Sequence, residues 1–363
     1  MHQAHPSRQF VDTLQTLGMP NAIKNVDTAI DLIPVDDEPV PITINESEYT
    51  NSYVCSPYTA YILYAEEELG LIKSSTQRAA LKVAIKAADK ILKVAKINRT
   101  LSINNWLVST NIPPNWSAQT IQNLTTLLLR RYPNHSYSIR SLNETHHAEL
   151  MQHLKQAGWH LVPARQVYLF DNKQRQWWKR SHTKRDQSLL RKTKLIKVSP
   201  EMHCQEDFVD IYQCFYKLFI EKHSIYNPQF SAEFLHAMHQ SGLMEFHSFR
   251  DPTDHRIIAS IALFTQQNII TTPIVGYDTS MPKELGLYRL LMAVLLKQTY
   301  NSGKAMNLSS GAGSFKRARG GKAALEYTAF YCKHLPFVQR IMMTVFAKTL
   351  NLFAPKVFQN NEI

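Results

Sequence analysis

The stretch "NLSSGAGSFKRARGG", Asn307 to Gly321, sets glycines, alanines and serines beside Lys316, Arg317 and Arg319. Glycine lets a backbone take positive φ and approach another group closely, and the cations suit an anion. Spacing excludes the ATP-binding loop. Walker A needs four residues between Gly and Gly-Lys and then Ser or Thr, whereas "GSFKRARGGKA" has Ala323 after Lys322. No G-x-S-x-G surrounds Ser309, Ser310 or Ser314, and no G-x-G-x-x-G is present, which disfavours a serine hydrolase and a dinucleotide site.

Outward from this turn the second half has a clear order. "CQEDFVDIYQCFYKLFIEKHS" and "IYNPQFSAEFLHAMHQSG" read as helices, the latter started by Asn227-Pro228. "LMEFHSFRD", "HRIIASIALFTQQN" and "IITTPIVGYDTS" read as an antiparallel meander. "LGLYRLLMAVLLKQTYNSG" is a helix from near Gly286 to Gly303, "KAMNLSS" a strand, and "AALEYTAFYCKH" a last strand after the glycine-rich turn. The C-terminal "PFVQRIMMTVFAKTLNLFAPKVF" reads as an amphipathic helix broken at Pro355, with docking onto the other domain favoured over a membrane-surface role.

The first half reads as strands "PVPITINES" and "SYVCSPYTAYI", then the helix "STQRAALKVAIKAADKILKVAK". In that helix Ala80, Val83, Ala84, Ala87, Ile91 and Val94 recur at helical spacing opposite Lys82, Lys86 and Lys90, so they form the expected buried face. "RTLSINNWLVST", "SAQTIQNLTTLLLRRYP", "HSYSIRSL", "ETHHAELMQHLKQAGW" and "HLVPARQVYLFD" then alternate as β-α-β-α-β, which points to a partly parallel sheet.

"YNPQF", "GLYRLLM", "NLSSGAGSFKRARGG" and "LEYTAFY", in this order across residues 205–332, resemble the GNAT acyltransferase fold in its FemAB and BioF2-like branch. The first half is similar to a degenerate copy. The resemblance implies an α/β protein of tandem GNAT-like domains, with mixed central sheets and flanking helices: residues 1–171, a basic connector 172–200, a transferase domain 201–332, and a C-terminal helix and tail 333–363. It implies a cleft between splayed parallel strands, with donor phosphates held at the start of the crossover helix. Lys283, Gly286 and Tyr288 stand where the family has Arg or Gln, Gly, and Gly or Ala. Tyrosine at the last position argues against ordinary acetyl-CoA binding and brings in an aminoacyl-tRNA donor. The expected donor-side residues are Lys283, Gly286, Tyr288, Arg289, Asn307, Ser309, Gly311, Gly313, Arg317 and Arg319, with Lys316 on donor phosphates or the oxyanion and Glu326 or His247 as general base.

The implied activity is N-acyl transfer to a small-molecule amine from acyl-CoA or an acyl carrier protein, with aminoacyl-tRNA-dependent transfer as the alternative. A second alternative is a non-catalytic RNA- or membrane-binding module. Acyl-CoA or aminoacyl-tRNA is then a co-substrate, with no permanently bound cofactor and no metal.

Net charge is +12, and ten cations against Asp186 between Lys173 and Lys197 supply +9 of it. Within this connector Lys179, Arg180, Lys184, Arg185, Arg191 and Lys192 are candidate polyanion contacts, and Trp177 and Trp178 either stack on bases or anchor the segment. Cys55, Cys204, Cys214 and Cys332 lack metal-ligand spacing, and no secretory start or apolar run of bilayer length is evident; the expectation is a cytoplasmic protein with reduced thiols and no transmembrane segment.

Overall fold

The computed structural model describes residues 5–72 and 74–361. The chain begins with α1 (Pro6–Leu17), α2 (Met19–Ala22), β1 (Ala29–Val35), β2 (Glu38–Ile44), α3 (Tyr64–Glu68) and α4 (Ser75–Val94). It continues through β3 (Thr100–Ile103), α5 (Ala118–Arg131), β4 (Ser136–Leu142), α6 (Glu144–Ala157), β5 (His160–Phe170), α7 (Ser181–Lys192) and β6 (Ile196–Val198). Next are α8 (Asp207–Phe215), α9 (Ala232–Gln240), β7 (Glu245–Arg250), β8 (Ile257–Gln266) and β9 (Ile269–Tyr277). The last elements are α10 (Leu287–Ser302), β10 (Ala305–Asn307), α11 (Gly313–Ala318), β11 (Lys322–Tyr331) and α12 (Phe337–Asn361).

These elements form two compact units. The first holds residues 1–15, 25–166 and 324–363; the second holds 16–24 and 167–323. This division differs from the boundaries at 171, 200 and 332 expected from the sequence. Segment 172–200 is part of the second unit rather than a free connector, and most of β11 with α12 returns to the first, because β11 pairs antiparallel with β4.

In the first unit the strands run β1-β2-β3-β4-β11-β5, with β3 and β4 parallel. Successive side chains of a strand face opposite ways, so this sheet buries both faces. Leu161 and Ala329 join α5 and α6 in one core through Ile121, Leu128, Leu150 and Leu154. Their neighbours Val162 and Phe330 join α4 and α12 in another, with Leu92, Met343 and Phe346. Helices α4, α5 and α6 start at side-chain caps: the hydroxyls of Ser74 and Ser117 accept from the backbone N–H of Gln77 and Thr120, and the Asn143 side chain from that of His146.

Four expectations here are corrected. β1 lies where none was expected; its hairpin turns at Asp36 and Asp37, both at positive φ, a glycine-free version of a two-residue turn. "SYVCSPYTAYI" is no strand: Thr59–Leu63 forms a π-helical turn. Asn98 Oδ1 accepts from Tyr58 N at 2.9 Å, and Thr59 Oγ1 donates to Asn51 O at 2.7 Å, so buried side chains hold this backbone out of a sheet. In α4, Ala80, Val83, Ala84, Ala87 and Val94 are exposed, while Leu92 is buried and Ile85, Ala88 and Ile91 pack beside it. Finally, α12 continues through Pro355; its segment Phe337–Phe358 is by length and composition apolar enough to cross a membrane, with Arg340, Lys348 and Lys356 interrupting its apolar run.

In the second unit the order is β5-β10-β9-β8-β7-β6; β7 through β9 form the expected antiparallel meander, and β6, a strand not expected within the basic segment, adds antiparallel to its edge. Helices α7 and α10 pack in one core through Leu190, Leu290, Leu291 and Leu295, with Ala259, Ile261 and Leu263 of β8. Helix α8 packs on β8 and β9, where a Cβ on Gly276 would come within 2.4 Å of Phe215 N. No larger residue fits there.

Candidate active site

β10 lies parallel to β9 for three residues only, from Ala305 beside Ile269 to Asn307 beside Thr271. β9 runs on to Tyr277, still paired with β8, so the two parallel strands part beyond Thr271. The chain leaving β9 enters α10 after a short 3₁₀ turn at Lys283–Leu285, in which Lys283 is exposed. Gly286 sits at φ 62° with no side-chain cap on the helix, and a Cβ there would meet Leu189 at 3.0 Å. An uncapped first turn of a 16-residue helix presents backbone N–H groups and the positive end of its dipole. The half-buried Tyr288 packs its ring 4.8 Å from that of Phe315, and burial pushes its hydroxyl up to about 12 against the pull of Arg319.

The turn after β10 is shaped by its own polar groups. Asn307 is buried; its Oδ1 accepts from Ser309 N at 2.9 Å and its Nδ2 lacks a partner. Ser309, Gly311 and Ala312 have positive φ, and Gly313 opens α11. Lys316 is buried, and its Nζ donates to Leu308 O and Ser310 O, both at 2.7 Å, and to Ser309 O at 3.4 Å. Its ammonium therefore fastens the turn to itself instead of projecting outward. Arg317 Nη1 donates to Tyr168 Oη at 3.2 Å. Gly320, at φ 94°, leaves 2.7 Å between its absent Cβ and the Cβ of Trp177.

Asp186, the one acid of the basic segment, is fully buried and receives Arg289 Nε at 2.8 Å and Arg319 Nε at 2.5 Å. One carboxylate thus ties α7 to both the crossover helix and the turn, a role the sequence did not reveal. Gln187 Nε2 adds a 2.7 Å bond to Ala293 O. The six cations expected to contact a polyanion face out: Lys179, Arg180, Lys184, Arg185, Arg191 and Lys192 are all exposed, while Thr183, Asp186, Gln187 and Leu190 are buried. Trp177 is buried and donates to Asp171 O, and Trp178 stacks on Tyr300 at 4.5 Å, so the tryptophans anchor the segment and are not displayed for base stacking.

Of the two candidate bases, His247 stands away from this turn. His247 lies on β7, three strand spacings or about 14 Å across the sheet from β10. It is buried with Nε2 unpartnered, and burial lowers its imidazole to about 4, His203 adding to the depression and Glu201 opposing it. Glu326 belongs to the first unit, where its Oε1 pairs with Arg165 Nε at 2.7 Å and its buried Oε2 has no partner. Sequence reasoning missed the groups around it. Arg165 Nη2 also donates to Thr110 Oγ1 at 3.1 Å, Arg140 lies over the Tyr53 ring at 5.8 Å, and burial raises the Glu68 carboxyl to about 7 against the pull of Arg165. A carboxyl held there exchanges a proton near neutral pH.

The first unit also has a cleft of about 570 Å³, lined among others by Lys155, Trp159, Leu161, Tyr327, Lys348 and Leu352. None of the site residues expected from the sequence lines it. Among the described residues no group of three His, Cys, Asp or Glu side chains is arranged to hold a metal.

No family model matches the chain, and no curated protein matches it. Solved structures do. The C-terminal domain of a proposed lysylphosphatidylglycerol synthetase from Agrobacterium fabrum is similar over 93% of this chain and 96% of its own, with TM-score 0.52 and 10% identity. FemX is similar over 67% of this chain and 82% of its own, with TM-score 0.50 and 9% identity. At such identities the likeness is one of fold. The chain therefore has a GNAT-like fold of the FemAB kind, built of mixed sheets flanked by helices.

Proposed function

We propose that the protein is an acyltransferase that moves an acyl group from a phosphate-bearing donor to an amine. The observation that carries this reading is the parting of β9 and β10 beside the uncapped N-terminus of α10. Backbone N–H groups at such a terminus bind phosphate, and separated strand edges leave polar groups for an extended donor arm. Lys283 and Arg289 add charge there. In the direct reaction the amine nitrogen bonds to the acyl carbon, the carbon–sulfur bond of a thioester breaks, and the amine proton ends on the departing thiol. Positioning and oxyanion stabilisation supply most of the acceleration. Lys316 acts by holding the turn's shape, with Arg317 and Arg319 fixing its far side.

The second reading is an aminoacyl-tRNA donor, in which a carbon–oxygen ester bond breaks instead. It is favoured by the exposed cations of α7, which Asp186 locks to the donor helix. Labelled acetyl-CoA, longer acyl-CoA and charged tRNA, each offered with a mixed amine pool with and without RNase, separate the two. Transfer that survives RNase supports the thioester donor; transfer abolished by RNase supports the tRNA donor. No transfer under any condition overturns both.

A further inference from the structure

Helix α12 of the first unit turns Met343, Phe346 and Ala347 into a core shared with α4, where Phe346 meets the Tyr61 ring edge-on at 5.2 Å. Steps of three and four residues place Phe337, Ile341, Val345, Lys348, Leu352 and Lys356 on the other side, and all six are exposed. Phe337 is 66% and Leu352 67% accessible. On α4, which packs beside α12, the strip expected to be buried is uncovered as well, with Val83 69% accessible. The two helices together carry eight cations against Asp89 alone, a net +7. Among the described residues α12 has no acid at all.

We propose that this α4–α12 face docks on an anionic bilayer surface, with α12 lying in the plane of the interface. The chemistry selects that partner. Exposed phenyl and aliphatic side chains need an apolar medium, and cations without acids need anions; a headgroup layer over acyl chains supplies both within one helix diameter. A nucleic-acid backbone offers the anions without the apolar phase. A second copy in an isologous contact would set +7 against +7. Lys348 and Leu352 also wall the 570 Å³ cleft, with Lys155 among its other lining residues, so a seated headgroup has two cations available. The proposal stands apart from the acyl-transfer reading and survives its failure.

The full chain is floated with vesicles of phosphatidylglycerol and phosphatidylcholine, and with vesicles of phosphatidylcholine alone, at low and high salt. We expect at least about tenfold tighter binding to the anionic vesicles, weakened by salt and extractable with alkaline carbonate. The double substitution Phe337→Glu and Leu352→Glu, at positions exposed enough to leave folding intact, should lower that binding about tenfold or more with an unchanged melting temperature. Absence of binding to anionic vesicles overturns the proposal. So does undiminished binding by the folded double variant, which places the contact elsewhere, or resistance to carbonate, which makes α12 a span. Self-association that this variant abolishes, without vesicle binding, assigns the face to a second copy.

Discussion

Lys316 sits in the most cationic turn of the chain, yet its charge is spent on three carbonyl oxygens within eight residues. Replacing it with Met leaves those carbonyls without their donor and removes charge-assisted bonds, at a cost of about 2–3 kcal/mol in urea denaturation. Gly320→Ala meets both a positive φ and Trp177, and should cost about 1–3 kcal/mol by the same measurement. His247 gives a pH signature. Its depressed value means that the unfolded chain takes up a proton that the folded chain resists, so stability is full above 6.5 and falls as pH drops toward 4. The fall is about 3 kcal/mol at most, and His247→Gln should flatten that part of the profile between urea midpoints at pH 7 and pH 4.5. Residue types were legible in the sequence and their partners were not. Asp186 stood out as one acid among ten cations, but the arginines that use it lie 103 and 133 positions away, and no local pattern encodes that pairing.

At the scale of elements, helical periodicity predicts a helix more surely than which side of it is covered. α4 has two apolar strips, and the one around Ala80 and Val83 is the uncovered one; the sequence could fix the period but not the phase. The opposite holds for α7, where one buried strip of Thr183, Asp186, Gln187 and Leu190 leaves a single cationic face. If that face holds RNA, replacing Lys184 and Arg185 with Ala should lower the slope of log affinity against log salt by about 0.7–0.9 per lost phosphate contact, measured by filter binding across a salt series. Asp186→Asn tests the anchor itself. Two arginines lose their counter-charge, α7 should exchange its amide hydrogens faster, and global stability should fall by about 3 kcal/mol. The meander β7-β8-β9 was legible because its pairings are local and joined by short turns.

For the molecule as a whole, the order of elements in the second half was readable, whereas the closure of the first half was not. β4 pairs with β11 through contacts such as Tyr137 with Tyr331, almost two hundred residues apart, and the core behind it needs Met343 and Phe346. A fragment ending at residue 171, a natural choice from the sequence, therefore lacks one strand inside its sheet and one helix of its core. Expressed alone it should be digested by protease within minutes under conditions where the full chain resists, as followed by gel.

That arrangement reverses the order of birth. Of the two units, the one begun first is completed only when residues 324–363 have left the ribosome, whereas nearly all of the second unit is contiguous and can settle earlier. During that interval the edge of β4 is open and available to other strands. Truncation between residues 323 and 363 thus strikes the segments made earlier hardest, and a released chain ending at residue 323 should show a protease-resistant core from 167 onward while residues 25–166 are degraded.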